Sequence, residues 1–139
     1  MLKMTEIRPL IDEAFASGQA FSFPINGTSM KPLLHTGDVV KIKDIKGHEI
    51  KKGDILLYQR KNGQYIIHRV RYVKKDSYVI VGDHQVELEY DVLPSQIIAY
   101  AVSYKKSGKE KEYLLKGFKY GIYKLLVKSR IIREIFSRH

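Results

Sequence analysis

The chain has no cysteine, so neither a disulfide framework nor a thiolate zinc site is available to it. Its five histidines are scattered without the tight spacing of a metal site, and no cofactor is expected. Nowhere do roughly 18 to 20 apolar residues run together as a membrane-crossing helix requires. The N-terminal "MLKMTEIRPLIDEAF" carries acids and lacks the apolar core of a secretory signal. These absences give the expectation of a cytoplasmic protein. Acids are also few, 15 against 25 Lys and Arg, for a net charge of +10. That imbalance sits at one end. Residues 105–139 hold eleven Lys or Arg against Glu110, Glu112 and Glu134, a net +8, which leaves only +2 for residues 1–104. A basic tail on a nearly neutral body points to an anionic partner.

What is present divides 139 residues, enough for one domain with a real core, into three regions. Residues 1–18 form an N-terminal helical segment. Ile7, Leu10, Ile11, Ala14 and Phe15 fall at helical spacing, Thr5 is placed to cap, and Gly18 is placed to stop. Residues 19–104 hold short runs rich in Val, Ile and Tyr: "AFSFPI", "DVVKIK", "DILLYQR", "QYIIHRVRYV", "SYVIVG" and "IIAYAVSY". Turn signals such as "HTGD", "KKGD" and "KKDS" separate them. Asn62-Gly63 is the strongest hairpin signal, so 54–60 and 64–73 are predicted to pair antiparallel. The fold class is mainly β, a curled antiparallel domain. After a joint at "KKSGKE", residues 110–137 return to helical periodicity, with Phe118, Ile122, Leu125, Ile132, Ile135 and Phe136 on one stripe. That basic amphipathic helix either packs on the β-domain or lies on an anionic membrane surface, which would make the protein peripheral there. Nucleic acid is disfavoured, because no recognisable nucleic-acid module accompanies the charge.

Two side chains raise a question of chemistry. Ser29 lies in a turn after a strand, between Gly27 and Met30-Lys31-Pro32. Gly27 permits a positive φ or a close approach of substrate, and a serine there can present its Oγ beside backbone N–H groups aimed at an oxyanion. A hydroxyl needs a base to attack. His68, in a strand that otherwise reads as buried, titrates near neutrality and could serve. Composition alone favours the plain alternative, a turn serine and a core histidine.

"GTSMKPLLHTGD" resembles the nucleophile motif of the signal peptidase I and LexA-type serine peptidases, matching through Gly27, Ser29, Met30, Pro32, Gly37 and Asp38. "KKGDILLYQR" is similar to that group's Gly-Asp plus apolar strand, "IIHRV" stands where its general base is followed by Arg, and "VIVGDHQ" resembles its later Gly-Asp box. His68 in place of Lys resembles the endoplasmic-reticulum and archaeal branch. The resemblance covers about residues 19–104. It implies a signal-peptidase-like β-fold and a serine endopeptidase acting on a peptide or protein substrate, a leader or precursor with small residues before the cut. It implies Ser29 as nucleophile, His68 as base and an acid to orient it, with Asp83 preferred to Glu89 because "GDHQVELEYD" lacks the usual Gly-Asp-Asn-Asn run. Gly27 and the Ser29 N–H would form the oxyanion hole, and Met30 would line a pocket. The several Gly-Asp pairs read as structural turns in which Asp binds nearby amides. A LexA-like self-cleaving regulator is the less favoured relative, since residues 1–18 are too short for a helix-turn-helix. An inactive binding module of the same fold is opposed by the presence of both Ser29 and His68.

Overall fold

The computed structural model describes residues 3–115. It opens with helix α1 (Met4–Ala16). Ile7 and Ile11 are buried and Met4 and Phe15 pack beside them, a 4-7-11-15 stripe. Leu10 falls off that stripe and stays 47% exposed. The expected Thr5 cap is not used: Lys3 takes the cap position, and its carbonyl accepts from both the Glu6 and Ile7 amides. Gly18 does stop the helix. At φ +72° it donates to the Phe15 carbonyl, while Gln19 donates to that of Ala14.

Among the described residues eight strands follow in one antiparallel sheet: β1 (Phe21–Pro24), β2 (Val39–Asp44), β3 (Ile55–Gln59), β4 (Tyr65–Val73), β5 (Tyr78–Val81), β6 (Glu89–Val92), β7 (Ile97–Lys105) and β8 (Glu112–Leu114). The order is β1-β2-β7-β3-β4-β5-β6, with β8 also on β7. The Asn62-Gly63 hairpin forms as its sequence predicts: Gln59 faces Tyr65, Arg60 N–H donates to the Gln64 carbonyl, and Gly63 takes φ +92°. β3 is an unbroken apolar run because both its faces are covered. Leu57 joins the core beneath α1, whereas Leu56 and Tyr58 join a second cluster with Val70, Ile80 and Val92.

Two turns repeat one device. In "HTGD" and "KKGD" the glycine sits at φ +95°, and the Asp carboxylate accepts the N–H of the residue three back (His35 or Lys51, 2.9 and 3.0 Å). In each, the Asp amide donates to that same residue's carbonyl. One such turn launches β2 and the other launches β3.

The chain departs from expectation at the start of the tail. The supposed joint at 105–110 is a hairpin turn, and residues 112–114 form β8 rather than the first turn of a helix. Tyr113 stacks on Tyr104 across the pair, ring centroids 5.2 Å apart, and Ser103 Oγ donates to Glu112 Oε1 at 2.7 Å. Three residues with a cross-strand aromatic pair and a buried hydroxyl outweigh a weak helical period. The rest of the expected basic helix lies outside the described residues. A deletion meant to remove only that segment must start after Leu115, since a cut after Ser107 would take β8 out of the sheet. Among the described residues no helix is long and apolar enough to cross a membrane.

Candidate active site

The loop from 25 to 38 joins β1 to β2 and carries Ser29. Its base is laced like a ladder: Ile25 N–H donates to the Asp38 carbonyl (2.7 Å), and Gly37 N–H donates to that of Ile25 (2.9 Å). Higher up, Thr36 Oγ1 both accepts from the Gly27 amide and donates to the Gly27 carbonyl, each at 3.1 Å. Gly27 sits at φ +119°, a region that favours glycine. Its N–H is taken by Thr36, which fixes the Gly27 turn within the loop. Beyond it the chain turns tightly, Lys31 N–H to the Thr28 carbonyl and Leu34 N–H to that of Met30. Met30, Leu33 and Leu34 are buried in the core beneath. These apolar anchors leave Ser29 half-buried at the lip of a cleft of about 390 Å³.

His68 lines the same cleft from β4. It lies opposite Leu56 in register and is only 5% exposed. Burial, reinforced by the positive charge of Arg60 and partly offset by Glu89, lowers the imidazole pKa to about 4. The residue between serine and histidine is Gly82. A Cβ placed there would stand 2.6 Å from the Ser29 carbonyl oxygen and 3.0 Å from His68 Nε2. The Ser29 carbonyl and the His68 imidazole therefore both lie against Gly82. The His84 amide donates to the Ser29 carbonyl at 2.8 Å and ties the turn after β5 to the serine loop.

The two candidate acids have different employment. Asp83 is fully buried and both its oxygens are gripped by the Arg69 fork, Nε to Oδ1 at 2.6 Å and Nη2 to Oδ2 at 2.7 Å. Arg69 Nη1 also donates to the Gly53 carbonyl at 3.0 Å, and the Asp83 amide points at Met30 Sδ, 3.5 Å away. Met30 is thus a buried anchor, 3% exposed, as well as part of the cleft wall. Glu89, on β6, accepts from Tyr58 Oη at 2.8 Å and from Arg60 Nε and Nη2 at 2.8–3.2 Å. Burial raises its pKa, but the Arg60 and Tyr58 hydrogen bonds outweigh that and hold the carboxyl below its ordinary value. His68 and Glu89 also line a second cleft of about 550 Å³ with Arg60, His84 and Gln85.

Three contributors escaped the sequence reading. Gly82 read as an ordinary Gly-Asp turn, yet its φ is not positive and it is there for what a side chain would strike. Tyr58 and Arg60 had no motif to announce them; they become visible only when β3 and β6 are placed within reach of each other through β4 and β5. Among the described residues no His, Asp and Glu cluster could hold a metal ion.

The family model described as Peptidase S24-like matches residues 3–93. The chain belongs to this family. The matched span takes in Ser29, His68, Asp83 and Glu89 and places the S24-like chain in the LexA and signal peptidase I superfamily. It stops short of β7 and β8. A search of the curated proteins found no match.

Proposed function

We propose that this S24-like chain is a serine endopeptidase in which Ser29 is the nucleophile and His68 the base. The observation that carries the reading is the shared cleft, with Ser29 and His68 converging on Gly82. Ser29 Oγ attacks the scissile carbonyl carbon as His68 takes the hydroxyl proton, and the oxyanion is held by the Ser29 N–H. Collapse breaks the C–N bond, and His68 returns the proton to the departing amine. Water, deprotonated by His68, then releases the acyl group from the serine ester. Glu89 is the acid whose negative charge opposes the lowering of the His68 pKa, and it suits stabilisation of the imidazolium. Asp83 instead serves as a positioning residue, fixing Arg69 and the turn after β5. On this reading Glu89 is preferred to Asp83 as the acid, the opposite of the order expected from the sequence.

An extended substrate suits the walls. Residues 65–68 of β4 pair with β3 on one side, while β5 joins the other side only from Arg69 onward. Phe23 to Gly27 line the same cleft. A peptide strand laid between would find backbone groups to bind. A leader or precursor peptide presented in extended form is the substrate class this supports.

The test is labelling with a fluorophosphonate probe. Wild-type protein should label at one site and Ser29→Ala should not. The labelling rate should climb through about pH 4 and be flat by pH 6, because the base must be neutral and burial keeps it so. Labelling that survives Ser29→Ala would overturn the assignment, and no labelling of wild type would favour a binding module. Gly82→Ala supplies an independent check. Its methyl would push on the Ser29 carbonyl, which is backbone and cannot swing aside. A displacement approaching 1 Å should slow labelling about 100-fold, with the circular dichroism spectrum unchanged.

A further inference from the structure

We infer that Lys106, in the β7–β8 turn, is a positioning residue that clamps the serine loop in its working shape; the inference rests on the peptidase reading above. Lys106 Nζ donates to the Leu33 carbonyl at 2.6 Å and to Asp38 Oδ2 at 3.0 Å. The next residue adds a backbone bond, Ser107 N–H to Asp38 Oδ1 at 2.9 Å. Asp38 is only 3% exposed and also receives the His35 amide, so its carboxylate gathers three donors from two separate segments. Leu33 lies in the second of the two overlapping turns, Thr28 to Lys31 and Met30 to Leu34, that carry Ser29. Lys106 therefore grips the far end of the pair of turns whose near end presents the hydroxyl.

The grip is built, not incidental. The ammonium stands 5.5 Å from the centroid of the Tyr104 ring, which is itself stacked on Tyr113 of β8. The turn is closed by Lys109 N–H to the Lys106 carbonyl at 2.9 Å. Ser107 packs so closely on Gly37 that a Cβ there would lie 3.1 Å from the serine Oγ. The cation thus comes from a hairpin beyond the span matched by the family, and it meets a turn inside that span. Without it, the 29–33 turn keeps its buried leucines but loses the strut across its open side, and the half-buried Ser29 is free to shift.

The experiment compares wild type, Lys106→Met and Lys106→Arg by saturable fluorophosphonate labelling and by amide hydrogen exchange. Lys106→Met should lower the maximal labelling rate about tenfold or more with the half-saturating probe concentration unchanged. It should also speed exchange of amides 30–37 while leaving those of β3 protected. Lys106→Arg, which can reach both acceptors, should recover most of the rate. Unchanged labelling or unchanged exchange in Lys106→Met would overturn the clamp, since the proposal requires both. Should wild-type protein not label at all, the peptidase reading fails by that result, and the exchange of Lys106→Met alone decides whether the clamp exists.

Discussion

Asp83→Ala should cost the folded state about 3–5 kcal/mol, the largest loss expected from any single polar substitution among the described residues. The Asp83 side chain is wholly buried and that of Arg69 is 7% exposed. Removing the carboxylate takes two acceptors from a guanidinium held in the interior, where water cannot reach it cheaply. Against a total stability of about 5–15 kcal/mol for an ordinary domain, that loss is severe. The Arg8–Asp12 pair on α1 provides the control. Its side chains are 31% and 58% exposed, so Asp12→Ala should cost no more than about 0.5 kcal/mol. Urea titrations of the two variants would decide the matter. A loss below about 1 kcal/mol for Asp83→Ala would mean that Arg69 finds another partner and that the turn after β5 is held by other means.

His68→Leu should act with opposite signs on activity and on stability. Removing the proposed base should lower turnover by about 10⁴- to 10⁶-fold. The same change should protect the fold in mild acid. In the folded protein the His68 pKa is about 4, against about 6.5 when unfolded. Between those values the unfolded chain binds the extra proton, so wild-type stability falls as pH drops from about 6.5 to 4 and this contribution then levels off. The full shift corresponds to about 3 kcal/mol. His68→Leu has no such slope. Glu89 and Asp38 are both held below their ordinary values, so their contributions are present above about pH 4.5 and are lost only below it, as pH falls through their folded values. The histidine window can therefore be read separately. Urea midpoints at pH 7, 5.5 and 4.5 should decline for wild type and stay level for His68→Leu; equal slopes would refute the buried neutral imidazole.

Local signals were legible in the sequence wherever the chain decides its own conformation. Asn62-Gly63 made its hairpin, Gly18 ended its helix, and two Gly-Asp pairs made the same turn because each contains both the glycine and the carboxylate it needs. The six Val, Ile and Tyr runs became six strands. What escaped depends on a neighbour. β6 reads Glu-Tyr-Asp-Val, with Asp91 at φ +58°, and is a strand only because Ile80 and Tyr78 of β5 pair with it. β8 is three residues in a lysine-rich stretch and exists by pairing with Ser103 to Lys105. At the site, the serine loop could be recognised as a contiguous motif. The Arg69 fork on Asp83, the Arg60 and Tyr58 bonds to Glu89, and the emptiness required at Gly82 each join segments 14 or more residues apart, and no local pattern records them.

The position of β7 between β2 and β3 also sets an order in time. Synthesis delivers β1 and β2 with the serine loop first, then β3 to β6 with His68, and the strand that hydrogen-bonds the two groups together comes after both. At about 5–20 residues per second, several seconds separate the appearance of His68 from that of Lys105. Throughout that interval β2 and β3 each lack the strand that joins them, and the Lys106 strut has not been made. A growing chain thus carries its hydroxyl and its imidazole without the frame that aligns them, and the cleft reaches its final form only when the last part of the sheet closes.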